Sequence, residues 1–454
     1  MSLAGVMPPA WSAMAGAGAL LVCAPASAQQ ARPPQQPQQP QIQAPVPGTR
    51  FQAPPGAVVD NPFRVFGDEG PEFAPLAIVG VLGIRPNASM VVQYDSNLAR
   101  IPDGIPLPRR FRSRADLVFR PSVGLTAERD LGRNRLFGNI GVGRAIHARN
   151  TQLNSNRFNV AGGLGFVLGN ACNGQLDAAF NERDLLIGGF EEAGDATVES
   201  TMFNGTLNCA TVSGITAGVG YNQGTRKNRS DDLAFDRSFA DASFRSANAT
   251  LGYRIGQRGQ VGVTAAWNEN SFINQTIMGV QNRIEMATLS VFSTYRIGSM
   301  LNVNASVGQT QVSSAIPGSQ DFSSAIWNVG IGYAGPRIGA NISTARSVNG
   351  GGQQAANLAV AQSFNASATY RLNDTMAIAG GYSRARQDFA GTSLIPQANL
   401  IDLFTTDRIF IGADYRMARL LSFSLDLNRQ SRTSVPSVFS FTSNSVFFGA
   451  NARF

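Results

Sequence analysis

Apolar and polar residues alternate with a period of two along most of the chain. In the stretch 421–428, for example, Leu421, Phe423 and Leu427 share one face, and Ser422 and Asp426 lie on the other. This pattern predicts β-strands with one apolar and one polar face. It predicts eighteen strands, at 89–94, 116–127, 136–146, 158–168, 175–183, 201–209, 215–222, 246–254, 261–268, 287–296, 301–310, 325–333, 338–344, 364–371, 376–384, 409–416, 421–428 and 446–454.

Five tyrosines close every second strand in the second half of the chain. They are Tyr253, Tyr295, Tyr333, Tyr370 and Tyr415, at spacings of 42, 38, 37 and 45 residues. Each interval holds two long strands, one tight turn and one longer loop, which predicts an up-and-down meander. A propeller blade has a similar period, but it contains four short strands.

The apolar face of such a meander needs a partner, which is either a second sheet or lipid. The polar faces consist mainly of Asn, Ser, Thr and Gly; only 15% of all residues are charged, and mean hydropathy is −0.06. The tyrosines recur at strand ends, where the aromatic girdle of a membrane barrel would lie. These features favour an all-β fold, a transmembrane antiparallel up-and-down β-barrel of about eighteen strands, with sixteen as the alternative count. Short periplasmic turns and long outer loops would connect the strands.

The segment before the barrel divides into two parts. Residues 1–28 predict a cleaved signal peptide, because Ala26-Ser27-Ala28 before Gln29 fits the small-x-small rule of secretory cleavage. Residues 29–75 are dominated by Gln and Pro and predict a periplasmic tether, whose role is either a spacer or a docking peptide. Residues 76–454 form the predicted barrel. Beyond the signal peptide, no apolar run approaches the roughly 20 residues of a membrane helix.

Two cysteines of the predicted barrel can be paired through strand register. If 175–183 and 201–209 form a hairpin with Leu176 opposite Gly205, then Cys172 lies opposite Cys209 on the same face. A secreted protein permits oxidation, so we expect a disulfide here, with two packed free thiols as the alternative.

Catalytic chemistry has little support in the sequence. His147 is the only histidine, and we interpret it as an ordinary strand-end residue. Without Cys-rich or nucleotide-binding Gly-rich motifs, we expect no enzyme activity, no cofactor and no metal.

Charge gives the one indication of selectivity, since the formal net charge is +8. The expected basic residues of the pore and first outer loop are Arg109, Arg110, Arg112, Arg114 and Arg120. Opposing acids in the third loop are Glu191, Glu192 and Asp195, and either the third or the fourth loop could fold inward. Such a lumen would favour anionic solutes.

The first barrel strands resemble a known family. Tyr94-Asp95-Ser96-Asn97, followed by Pro121-Ser122, is similar to the opening of the outer-membrane β-barrel porins of proteobacteria, in particular the group called beta-barrel porin 2. The resemblance implies the outer membrane of a Gram-negative bacterium, and members often accompany exopolysaccharide export systems. Gly449, Ala452 and Phe454 resemble the C-terminal signal read by the barrel-insertion machinery.

Three functions remain open from the sequence. The leading one is a porin-like channel for small, anionic solutes; the others are a component of polymer export and a structural or adhesive barrel. The expected partners are outer-membrane lipid, the insertion machinery during assembly and, for the second function, polysaccharide export proteins. We expect no nucleic-acid partner, and the oligomeric state stays open.

Overall fold

The computed structural model describes most of the chain from residue 83 onward. It covers residues 83–453 except 99, 103, 108–110, 185–195, 231–237, 239–240, 278, 317–318, 320, 350–358, 389–402, 418–419, 436 and 438–439. The predicted signal peptide, the tether, Arg109, Arg110, Glu191, Glu192, Asp195 and Phe454 lie outside the described residues.

Eighteen strands make up the described fold. They are β1 (Ile84–Asp95), β2 (Asp116–Leu131), β3 (Asn134–His147), β4 (Ser155–Leu168), β5 (Cys172–Asp184), β6 (Ala196–Ala210), β7 (Ile215–Ser230), β8 (Ala242–Ile255), β9 (Gly259–Ile277), β10 (Val280–Ile297), β11 (Leu301–Ser314), β12 (Phe322–Ala334), β13 (Ile338–Asn349), β14 (Ala359–Arg371), β15 (Met376–Asp388), β16 (Leu403–Arg416), β17 (Leu421–Val435) and β18 (Phe441–Arg453). A short 3₁₀ helix, Thr151–Leu153, lies between β3 and β4.

Each strand pairs antiparallel with its neighbours in sequence, and the ring closes. β18 pairs with β1 in a register that places Ala452 opposite Ala88 and Val446 opposite Tyr94. The sequence-based prediction of an eighteen-strand antiparallel barrel is therefore confirmed, and the alternative of sixteen is wrong. With a strand spacing of ~4.8 Å and a tilt of ~40°, eighteen strands enclose a ring about 35 Å across between backbones. A barrel of this strand number leaves an aqueous lumen.

The two ends of the barrel differ. Tight turns join even-numbered strands to the following odd-numbered strands at one end, which we call the short-turn end. Gly132, Gly256 and Gly298 have φ of 67°, 59° and 64° in three of these turns, a conformation that glycine adopts without steric cost. The opposite end, the loop end, carries longer connections such as the β1–β2 loop, residues 96–115. β1 begins and β18 ends at the short-turn end.

The outer face of the barrel is strongly apolar. Large apolar side chains there are widely exposed, for example Leu251 at 63%, Val307 at 63% and Leu289 at 60%. Their partners in alternation, such as Thr250, Ser306 and Ser290, face inward. A soluble protein does not expose so large an apolar surface, whereas a membrane barrel presents one to lipid. Within the described residues, no helix is long and apolar enough to cross a membrane.

Most strands extend further at the loop end than the sequence predicts. β7 was expected over 215–222 but runs to Ser230, and β9 was expected over 261–268 but runs to Ile277. The outward positions of the added part of β7 include Lys227 and Arg229. The alternation of apolar and polar residues ends where the outward positions stop being apolar. The backbone hydrogen bonds between neighbouring strands continue beyond that point. The short-turn ends of the strands lie within a few residues of their predicted positions.

Candidate permeation pathway

The inner face of the barrel is polar and rich in arginine. Alternation and register place these strand arginines on it: Arg85, Arg120, Arg135, Arg157, Arg226, Arg254, Arg296, Arg371, Arg408, Arg416 and Arg432. The acidic residues placed there in the same way are Asp95, Asp116, Glu128, Asp130, Asp177, Asp414 and Asp426. Arginine thus outnumbers carboxylate along the described inner wall.

The β1–β2 loop folds against the inside of the barrel at the loop end. Its Leu98, Ile101 and Phe111 are buried in one apolar cluster with Val118 and Ala145, which face inward from β2 and β3. Leu153 of the 3₁₀ helix completes the cluster. Burial of these apolar side chains holds the loop to the wall. The third and fourth loops, either of which could fold inward according to the sequence, lie largely outside the described residues. Among the described loops, the first narrows the mouth.

A carboxylate at the end of β1 anchors the start of this loop. Asp95 is fully buried, and its Oδ2 lies 2.8 Å from Nη1 of Arg100. Ser443 and Ser445 of β18 donate hydrogen bonds to Asp95 Oδ1 and Oδ2 at 2.5 and 2.9 Å. The backbone N–H of Asn97 donates to Oδ1 at 2.9 Å. The network therefore ties the loop to both strands at the closure of the barrel.

A second carboxylate anchors the end of the loop. Asp116 Oδ2 accepts hydrogen bonds from the backbone N–H and side-chain Nδ2 of Asn150, at 3.0 and 2.9 Å. Asn150 Oδ1 in turn accepts the backbone N–H groups of Arg112 and Ser113 at 2.9 and 3.2 Å. His147 Nδ1 lies 3.4 Å from Asp116 Oδ2, and both side chains are buried. His147 is thus part of the contact between the first two loops.

Arginines from β16, β17 and the first loop gather on the wall beside Asp95. The guanidinium carbons of Arg432 and Arg100 lie 5.0 and 5.8 Å from the ring centroid of Phe441. Arg432 also lies 5.0 Å from the ring of Phe404, and Arg408 Nε donates to Asn428 Oδ1 at 2.7 Å. Stacking on aromatic rings holds the guanidinium groups of Arg100 and Arg432 in place. Three guanidinium groups lie here beside two carboxylates, that of Asp95, which pairs with Arg100, and that of Asp426, so this part of the lumen wall carries net positive charge.

A second apolar cluster narrows the loop end from the far side. Phe272, Ile284, Met286 and Val312 are buried together with Ala242. They belong to β8–β11, about seven strands from the first cluster around a ring of eighteen. The β9–β10 hairpin carries an irregularity in register between Gln281 and Arg283. Bulges of this kind bend a hairpin. The mouth at the loop end is therefore lined by packed side chains on two opposite sides.

The structure separates the arginines that the sequence grouped together. Arg112 is exposed at the loop end, whereas Arg114 is half-buried and donates to the carbonyl oxygens of Ile101 and Pro102 at 3.3 and 3.2 Å. Arg120 is buried on the inner wall and donates to Gln93 Oε1. Sequence reasoning missed Arg100, Arg408 and Arg432. Strand alternation places the latter two inside, but the ring of Phe441 that Arg100 and Arg432 share depends on the fold.

The cysteines and tyrosines lie near the short-turn end. Cys172 of β5 is opposite Cys209 of β6 on the outer face, and a disulfide joins them. The five strand-closing tyrosines, Tyr253, Tyr295, Tyr333, Tyr370 and Tyr415, face outward and are between 39% and 53% exposed. Gly449 faces inward from β18, and Ala452 faces outward near its end.

Metal chemistry has no visible basis in the part of the chain that the structure describes. No group of three or more His, Cys, Asp or Glu side chains there could hold a metal ion.

Together the closed ring, the apolar outer face and the polar inner face define the class of transmembrane β-barrels. No protein-family model and no curated protein matches the chain. Among solved structures, OpdK of Pseudomonas aeruginosa with vanillate is 11% identical, with 82% of this chain and 99% of that chain covered and a TM-score of 0.46. OccK2 (OpdF) of the same organism in complex with glucuronate is 11% identical, with 82% and 98% covered and a TM-score of 0.45. The FrpB iron transporter of Neisseria meningitidis is 8% identical, with 82% and 81% covered and a TM-score of 0.46.

Proposed function

We propose that this protein is an outer-membrane channel through which small anionic solutes diffuse. The observation that carries the proposal is an eighteen-strand ring whose outer face is apolar and whose inner wall holds more arginines than carboxylates. Lipid covers the first face, and water and solutes contact the second. The short turns would then lie in the periplasm and the loops outside the cell.

The electropositive wall beside the first loop supplies the selectivity. Arg408 and Arg432 come from neighbouring strands, and Arg100 reaches the same ring of Phe441 as Arg432. Fixed positive charge along a narrow aqueous path raises the local concentration of anions and lowers that of cations. The first loop folds inward at the same place. It narrows the aqueous path and so keeps a passing solute close to this wall.

Planar-bilayer recording tests the proposal. The purified full chain should form channels whose reversal potential in a KCl gradient has the sign of anion selectivity. Arg432→Gln should lower the chloride-to-potassium permeability ratio by roughly two- to fivefold, because it removes one charge from a wall whose potential is several kT. Arg429→Gln is the matched control, since Arg429 lies on the same strand and faces outward.

Three results would contradict the proposal. The first is cation selectivity in the wild-type channel, and the second is an equal fall in selectivity in both variants. A protein that inserts but carries no current also defeats it; if deletion of the gene then abolished secreted polymer, the export function would replace it. Membrane fractionation checks the location independently, because the folded barrel should be recovered in the outer membrane.

A further inference from the structure

The tyrosine hairpins carry a second repeated feature, an arginine at the short-turn mouth. In four of the five, arginine directly follows the strand-closing tyrosine, at Arg254, Arg296, Arg371 and Arg416. Because neighbouring strand residues point to opposite faces, the tyrosine faces outward and the arginine faces inward. In the fifth hairpin Ala334 follows Tyr333, and Arg337 lies in the turn itself.

Most of these arginines are available to solutes. Arg254, Arg296, Arg337 and Arg371 are exposed. Within the described residues, no ion pair and no side-chain hydrogen bond involves Arg254, Arg296 or Arg371. Acidic residues at this part of the rim are Asp374, in the β14–β15 turn, and Asp414, two residues before Arg416. Positive charge therefore predominates along the arc from β8 to β17.

The spacing of the arginines makes their fields overlap. Strands lie ~4.8 Å apart, so arginines on alternate strands are separated by roughly 10 Å along the rim. The Debye length is about 10 Å at 0.1 M salt and about 30 Å at 0.01 M. At low ionic strength an entering ion consequently senses several of these charges at once. Their inward position directs this field into the aqueous opening, away from the lipid headgroups.

We infer that this arc of Arg254, Arg296, Arg337, Arg371 and Arg416 collects anions at the short-turn mouth. The ligand class is small anions bearing carboxylate, phosphate or sulfonate groups, held loosely by charge. The inference rests on the proposed channel function. It adds that anion selectivity depends on the direction of the salt gradient across the channel. Anion selectivity is greater when the dilute solution bathes the arginine mouth, because screening is weakest there.

The test measures single channels in a tenfold KCl gradient, from about 10 mM to about 100 mM, applied first in one direction and then reversed. In the wild type, the anion-to-cation permeability ratio should differ about two- to fivefold between the two directions. The variant R254Q/R296Q/R337Q/R371Q should show the same ratio in both directions. Its matched control, R144Q/R245Q/R384Q/R429Q, loses four outward-facing exposed arginines and should retain the wild-type difference.

A direct binding measurement keeps the inference separate from the channel function. The trisulfonated dye pyranine should bind the detergent-solubilised wild type and the control at about 10 mM salt, with raised fluorescence anisotropy, and should bind the mouth variant several-fold more weakly. Selectivity that is equal in both directions in the wild type, or a direction dependence that survives in the mouth variant, overturns the inference alone. Absence of current overturns the channel function, and equal dye binding by all three proteins then overturns the inference as well.

Discussion

Arg100 turns back across five residues to place its guanidinium 2.8 Å from the buried carboxylate of Asp95. Arg100 has a φ of 56°, which non-glycine residues rarely adopt. The ion pair, together with the hydrogen bonds from Ser443 and Ser445, offsets the cost of this conformation. It lies where the barrel closes and where the first loop turns inward, so it connects closure of the ring with the width of the mouth.

Replacement of Asp95 should loosen the first loop. Asp95→Ala leaves Arg100 without its carboxylate, and loss of one partner from a buried pair costs about 3–5 kcal/mol. We expect the variant to unfold at a lower midpoint temperature in heat-modifiability gels. We also expect its single-channel conductance to be larger and noisier than that of the wild type. Asp177→Ala is the control, because Asp177 also faces inward and accepts a hydrogen bond from Asn204 at 2.7 Å, far from the loop. Unchanged conductance and midpoint in Asp95→Ala would contradict this role.

The Asn150 side chain should protect the first loop from proteases. Asn150→Ala removes the acceptor of the Arg112 and Ser113 backbone N–H groups, at a cost of about 1–3 kcal/mol for the groups left unpaired. Trypsin should therefore cleave faster after Arg112 and Arg114, as measured by mass spectrometry of timed digests. Asn156→Ala, at an exposed outward position on β4, should be digested like the wild type. Equal rates for both variants would exclude the proposed bridge.

The disulfide should stabilise the β5–β6 hairpin. Cys172 and Cys209 are separated by 37 residues, and loop-closure entropy gives an upper limit of about 4 kcal/mol. Cys172→Ser/Cys209→Ser should unfold at a lower guanidinium concentration than the oxidised wild type, and a reductant should lower the midpoint concentration of the wild type only. Alkylation of the denatured, unreduced protein followed by peptide mapping checks the bond itself. Modification of both Cys172 and Cys209 in that experiment would rule it out.

Gly381 should be required on the inner wall, because the ring of Phe410 covers it. A Cβ at Gly381 would lie 2.5 Å from Phe410 Cζ and 2.5 Å from the carbonyl oxygen of Ala366. Gly381→Ala should therefore cost about 1–3 kcal/mol and reduce the fraction of heat-modifiable barrel. At Gly339 the nearest atoms would be 3.8 Å away, so the same substitution should be tolerated there. Equal folding yields for the two variants would contradict the requirement for glycine at this position.

Local alternation determined much of the fold from sequence alone. Whether a residue such as Leu425 or Asp426 faces lipid or lumen depends only on its neighbours along the strand, so faces, strand number and order were predictable. The short-turn boundaries were predictable for the same reason, since a tyrosine and a turn residue mark them within one hairpin. The loop-end boundaries were not, because the ladder of backbone hydrogen bonds continues where outward positions such as Lys227 become polar.

The candidate site depended on contacts that no local pattern records. Asp95 and Ser443 are 348 residues apart and meet only because β18 closes the ring against β1. Likewise, Arg100 and Arg432 share Phe441 only after the first loop has folded inward. The sequence by itself determined a barrel with an apolar exterior and a basic interior, because periodicity is a property of each strand. Only the tertiary structure decided which loop narrows the mouth, because ring closure brings the ends of the chain together.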